Sequence, residues 1–284
     1  MRVKPLIGLT LVLMLSASGV GAREYETEEF VFPADDIETL DVLVSLGAGQ
    51  FDITTEKMDD IARARVEYDP RRIEVFAEYE KRGSVGFLEF ESDQHRIRDI
   101  DNDSNLWDIV LSDRYPTEME INIGACRSEI DLSGLPLKLL SLDVGAAEGR
   151  IIFGRPNPIE ADEIIINAGA ASFSADKLGN AAFRRLTFEG GVGSFELDFS
   201  GEYKTRARAR ISIGLGSATI IIPRDLPVRV EADDGFLSSV EIDDGGRGEY
   251  DDDYYESDDF RDADIGLSLS IDVGLGSVEV IFED

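Results

Sequence analysis

Seven times along the chain, two stretches of alternating apolar and polar residues are joined by a Gly-x-small triplet that reads as a turn. The copies are LVSLGAGQFDI (43–53), INIGACRSEI (121–130), LDVGAAEGRI (142–151), INAGAASF (166–173), EGGVGSFEL (189–197), SIGLGSATI (212–220) and IDVGLGSVEV (271–280). In the last copy Leu269, Ile271 and Val273 alternate before the triplet, and Val278, Val280 and Phe282 after it. Period-two alternation of β-branched and aromatic residues predicts half-buried strands. From Gly124 to Gly214 the first glycines recur every 21 to 24 residues, and self-similarity at that period predicts a stacked repeat architecture. The first glycine predicts a backbone needing positive φ or unusual room. The second small residue, at Gly49, Cys126, Ala147, Ala171, Gly193, Gly216 and Gly276, predicts close packing against the neighbouring repeat.

Two gaps break the rhythm. The 77 residues from Gly47 to Gly124 read as about three further periods with a faded glycine signal, because strand-like runs persist at 62–68, 73–79, 85–90 and 106–111. The 60 residues from Gly214 to Gly274 hold strand runs at 228–231 and 239–242, then an acidic stretch at 243–264. Its eleven acids and two bases predict a solvated loop inserted between the last repeats. Helical periodicity is absent beyond the N-terminal segment, with 176–185 ambiguous. Segments such as Arg155-Pro156-Asn157-Pro158 read as loops.

Charge narrows the partner class. With 59 acids against 28 bases the net charge is −31 over 284 residues, a field that repels nucleic acid and anionic membranes. The N-terminus carries Arg2 and Lys4, an apolar run from Leu6 to Leu15, and Val20-Gly21-Ala22 as a small-residue cleavage site. That order predicts a signal peptide over 1–22 and an extracytoplasmic protein, periplasmic or at the cell surface. Membrane contact is expected only if this segment stays uncleaved. The single cysteine, Cys126, cannot form an intramolecular disulfide and reads as a small buried residue at a tight turn.

Residues 135–201, together with DPRRIEVFAEYEKRG (69–83) and GLGSATIIIPRDLPVRVEA (214–232), resemble the bacterial toast-rack domain. That domain groups with LiaF-like cell-wall-active antibiotics response proteins and with candidate adhesins. The resemblance implies an all-β fold, a right-handed β-solenoid-like stack of ~22-residue Gly-x-Gly repeats; a β-sandwich is the alternative. It also implies an extracytoplasmic location and no catalysis, with no family active site to carry over. LiaF-like proteins carry N-terminal membrane helices and restrain a sensor kinase; this chain lacks those helices. The expected division is 1–22 signal peptide, 23–113 an N-terminal toast-rack-like β region, and 114–284 the repeats with the insert.

Residue patterns for chemistry are sparse. Asp99 to Leu106 places oxygen ligands at alternate positions like the start of a calcium loop, yet Ser104 and Val110 stand where an EF-hand needs Gly and Glu. The run Asp251-Asp252-Asp253 suits weak calcium binding. His95 is the only histidine and has no nucleophile near it in sequence. Gly-Leu-Gly-Ser at 214–217 and 274–277 leads into a strand, so it is not a dinucleotide fingerprint. Trp107 reads as core packing, whereas Tyr250, Tyr254, Tyr255 and Phe260 read as candidates for stacking on sugars. No catalytic, cofactor-binding or metal residues are assigned. The expected function is a secreted, non-catalytic envelope module with a structural, adhesin-like or stress-linked binding role. The alternatives are a carbohydrate-active enzyme on a β-helix or a membrane-tethered regulator of an envelope sensor. No partner is identified by the sequence; the classes it leaves open are a cell-envelope component or a protein, and nucleic acid is excluded.

Overall fold

The structure, a computed structural model, describes residues 25–94, 105–234, 238–242, 249–251 and 254–283. In chain order the strands are β1 (Glu26–Phe32), β2 (Thr39–Glu56), β3 (Ala62–Tyr68), β4 (Ile73–Arg82), β5 (Val85–Gln94), β6 (Asn105–Ser112), β7 (Thr117–Asp131) and β8 (Leu137–Ile152). They continue as β9 (Ala161–Asp176), β10 (Phe183–Asp198), β11 (Arg206–Pro223), β12 (Val228–Asp234), β13 (Ser238–Ile242), β14 (Glu249–Asp251), β15 (Tyr254–Glu256) and β16 (Gly266–Glu283). The ambiguous stretch after β9 holds a 3-10 turn, Leu178–Ala181. The fold is all-β.

Each predicted triplet lies inside one long strand, and the seven long strands pair in parallel in the order β2-β7-β8-β9-β10-β11-β16. Their register aligns Gly49, Cys126, Ala147, Ala171, Gly193, Gly216 and Gly276 in one column. These strands are sharply bent. Phe188 and Phe195 would stand about 23 Å apart in a straight strand, yet their ring centroids are 5.4 Å apart, edge to face. The chain turns back between them, so the two arms of each strand face one another across a shared core. Burial changes phase at the bend: Ala207, Ala209, Ile211 and Ile213 are buried before it, then Ala218, Ile220 and Ile222 after it.

Aromatic pairs tie the arms together along the stack. Phe90 meets Trp107 at 6.1 Å, Phe173 meets Phe188 at 6.1 Å, and Tyr255 meets Phe282 at 4.8 Å. Trp107 is core, as its strand context predicts, and its indole nitrogen donates to Asn105. Fully burying side chains of this size contributes roughly 1.5–3 kcal/mol each, and that burial is the main force closing the arms.

The first glycines answer to room rather than to positive φ. A β-carbon on Gly124 would lie 2.4 Å from the carbonyl oxygen of Gly47, one on Gly191 2.4 Å from that of Gly169, and one on Gly274 2.8 Å from that of Gly214. None of these glycines has φ in the left-handed region. In the second column Gly216 and Gly276 do, at φ 140° and 141°.

The gap from Gly47 to Gly124 does not hold three faded periods. β5 pairs with the first arm of β2 and β6 with its second arm, so together they form one broken copy of the bent strand. β1, β3 and β4 add antiparallel edges beyond it. The other end mirrors this: β12 lies along the first arm of β16 and β13 along its second. No glycine triplet joins these half-strands, because they need not turn as one strand.

The acidic stretch also departs from its expectation. β14 and β15 form a hairpin whose inner strand pairs with β12, and Tyr255 and Phe260 are buried. Burial removes these two rings from the sugar-stacking candidates. Buried Glu256 accepts hydrogen bonds from Arg229 at 2.6 Å, Arg261 at 2.5 Å and Tyr254 at 2.7 Å, which pins the hairpin.

Return loops are organised by asparagine. Buried Asn157 donates to the carbonyls of Leu137 and Ala181 and accepts from the amides of Leu137 and Ile159. It thereby satisfies backbone groups of three successive turns, which a solvated loop residue would not do.

Candidate functional site

The outward faces of the first arms form the floor of a groove of about 1080 Å³, walled by the β4–β5 hairpin. Strand pleating puts every second residue outward, so successive strands supply Asp41 and Leu43, Glu118 and Glu120, Leu139 and Ser141, and Glu163 and Ile165. Half-buried Leu43, Leu139, Ile165 and Phe87 make an apolar floor. Carboxylates of Glu78, Glu80 and Glu89 line the hairpin side. Arg82 pairs with Glu80 at 2.5 Å and stacks over the Phe87 ring at 4.7 Å, and Lys81 pairs with Asp35 at 2.9 Å.

Asp41 is the electrostatically unusual group. Burial raises its carboxyl above the usual range, the neighbouring Glu118 charge adds to this, and Lys138 partly opposes both. Lys138 itself binds Glu118 at 2.6 Å, and that hydrogen bond raises its ammonium pKa. An apolar floor with converging charged groups and a shifted carboxyl is the usual composition of a small-molecule or peptide site. A second, polar recess of about 690 Å³ lies on the second arms, crossed by the Arg127–Glu148 pair at 3.0 Å and the Arg150–Asp176 pair.

The chemistry flagged in the sequence falls elsewhere. His95 and residues 99–104 of the calcium-like run lie outside the described residues, as do Asp252, Asp253 and the side chains of Tyr250 and Asp251. Tyr254 hydrogen-bonds to Glu256 rather than standing free. Among the described residues no group of three or more His, Cys, Asp or Glu is placed to hold a metal ion. Cys126 is buried, and burial raises its thiol pKa to about 11. Sequence reading missed the groove, since its members come from six strands and share no local motif. It also passed over Arg206-Ala207-Arg208-Ala209-Arg210, where strict alternation signals a row of outward arginines.

The chain matches the N-terminal domain of toast_rack, DUF2154, over residues 21–172 and again over 161–221. The chain belongs to the toast-rack family. The chain is also similar to solved structures: a candidate cell adhesion protein from Clostridium sporogenes is 18% identical, with 92% of this chain and 100% of that one covered and a TM-score of 0.48. A candidate lipid binding protein from Parabacteroides distasonis is 15% identical over 93% and 98%, with a TM-score of 0.37. A candidate adhesin from Bacteroides fragilis is 11% identical over 92% and 98%, with a TM-score of 0.35. At these scores none bears on what this toast-rack chain binds. No curated protein of known function matches it. Among the described residues no helix is long and apolar enough to cross a membrane.

Proposed function

We propose that this toast-rack protein is an extracytoplasmic, non-catalytic binding module of the cell envelope, with the groove over β2, β4, β5 and β7 to β9 as its binding site. The groove's apolar floor within an acidic surround carries the reading: half-buried Leu139 and Ile165 face outward among Asp41, Glu118, Glu120 and Glu163. Signal-peptide chemistry at 1–22 supports export, and division near 113/114 remains part of the proposal. In-register bent strands support a right-handed solenoid-like stack, with the facing arms also accommodating the sandwich description. The test is retention on cell-wall polysaccharide and peptidoglycan, comparing the mature protein with a Leu139→Arg/Ile165→Arg variant of equal melting temperature. Loss of retention in the variant supports the reading; equal retention places the site elsewhere.

One observation favours a second reading, a carbohydrate-active enzyme. Asp41, whose carboxyl is raised by burial, stands in register with Glu118, and a pair of neighbouring carboxyl groups is what glycoside hydrolysis uses. Release of reducing ends from a polysaccharide, abolished by Asp41→Asn, would establish it.

A further inference from the structure

Most cations on this stack are engaged. Lys138 reaches Glu118, Arg127 Glu148, Arg150 Asp176, Arg184 Glu160 and Arg185 Glu163, each one strand or one return loop away, while Arg155, Lys204 and Arg206 donate to backbone carbonyls. Two arginines of β11 do neither. Exposed Arg208 stands in register between Arg185 and Ser268, and exposed Arg210 between Thr187 and Ser270. Among the described residues neither arginine has an ion pair or hydrogen-bond partner. Parallel neighbours lie about 4.8 Å apart, and like charges set directly opposite destabilise a sheet. Scarcity of acids cannot explain the gap in a chain with 59 of them.

We infer that Arg208 and Arg210, with Arg185 and the hydroxyls of Ser268, Ser270 and Thr187, form an anion site for a phosphate group on a small ligand. The donor set is the argument. Two unpaired guanidinium forks match phosphate oxygens bidentately, and the flanking hydroxyls add donors while contributing no negative charge. Size follows from the borders. Glu163 lies beyond Arg185, Glu189 and Asp272 occupy the next outward row toward the bend, and Glu231 lies beyond Ser270. A long polyanion would run into these acids and into the −31 field, whereas one phosphate fits inside the positive island. Val192, Leu215 and Leu275 are exposed at the bend and Ile265 ahead of β16, but the positions registered beside Arg208 and Arg210 are Arg185, Thr187, Ser268 and Ser270, polar groups that suit an anion better than a lipid bilayer.

The test is an amide and arginine side-chain NMR titration of the mature protein with glycerol phosphate, at two salt concentrations. Saturable shifts centred on Arg208, Arg210 and Ser270 are expected, weakening at least tenfold in Arg208→Gln/Arg210→Gln. That variant should melt no lower than the wild type, since it loses repulsion. A parallel arm uses phosphatidylcholine vesicles in which roughly one lipid in five is phosphatidate; binding there but not to glycerol phosphate would assign the site to a membrane headgroup and overturn the small-ligand reading. Absence of saturable shifts, or equal affinity in the double variant, would overturn the site itself.

Discussion

A β-carbon placed on Gly276 would stand 1.8 Å from the carbonyl oxygen of Gly216, its counterpart on the adjacent bent strand. The two backbones are in such close approach because Gly276 holds φ at 141°. Gly276→Ala should therefore cost more than about 3 kcal/mol, combining collision and backbone strain. Gly145→Ala, where the β-carbon would meet Gly124 oxygen at 3.0 Å, should cost about 1–2 kcal/mol. Urea melts of the two variants give the ranking, and equal midpoints would contradict the ladder of close approaches.

Asn157 should behave as core. Truncation in Asn157→Ala strands the amide and carbonyl groups it serves, at roughly 2–3 kcal/mol. Its four bonds are all within 3.2 Å, so a melt indistinguishable from the wild type would contradict the loop network.

Tyr255→Ala should cost about 3–5 kcal/mol, because the ring is buried against Phe282. A solvated insert would tolerate the change. The same measurement on a protein lacking residues 249–263 should show a larger loss.

Stability should carry two opposed pH signatures. Hydrogen bonding from Arg71 holds buried Asp69 below the usual carboxylate range. Its contribution is present above the unfolded pKa and is lost as pH falls through the lower folded value. Asp41 is shifted upward, so its ionisation opposes folding at neutral pH. Asp41→Asn should raise the melting temperature at pH 7, and the gain should vanish below about pH 4, where the unfolded carboxyl is itself protonated. Asp69→Asn should do the reverse, lowering the melt at pH 7 and converging with the wild type in acid.

Legibility of this fold in its sequence depended on whether a requirement was local. Alternation around each triplet is a local demand, so the strand character on both sides of all seven triplets and the small-residue column through Cys126 were readable from residue spacing; that each pair of stretches is one continuous bent strand rather than two strands and a turn was not. The half-strands β5, β6, β12 and β13 lack the triplet because their turn is made by separate segments, and only pairing partners reveal that each duo completes one copy. Phe260 and Tyr255 were hidden by the acids around them, since composition over 243–264 averages away two apolar anchors. Asn157 looks like any loop asparagine until the turns on either side are stacked against it. The groove arises from residues on six strands, which no window along the chain can join; the arginine row lies within one five-residue window, and only its neighbours Arg185, Ser268 and Ser270 come from distant sequence.

In-register stacking of the bent strands is the claim on which the rest depends, and disulfide mapping at the bend tests it most directly. In a Cys126→Ala background, Val192→Cys and Leu215→Cys occupy registered positions on β10 and β11, and Leu275→Cys lies one strand further. Neighbouring parallel positions at about 4.8 Å are within disulfide reach, and positions two strands apart at roughly 9.6 Å are not. Mild oxidation should close the 192–215 pair rapidly and leave the 192–275 pair reduced in the folded monomer. Failure of the first pair to close, or closure of both at similar rates, would contradict the register.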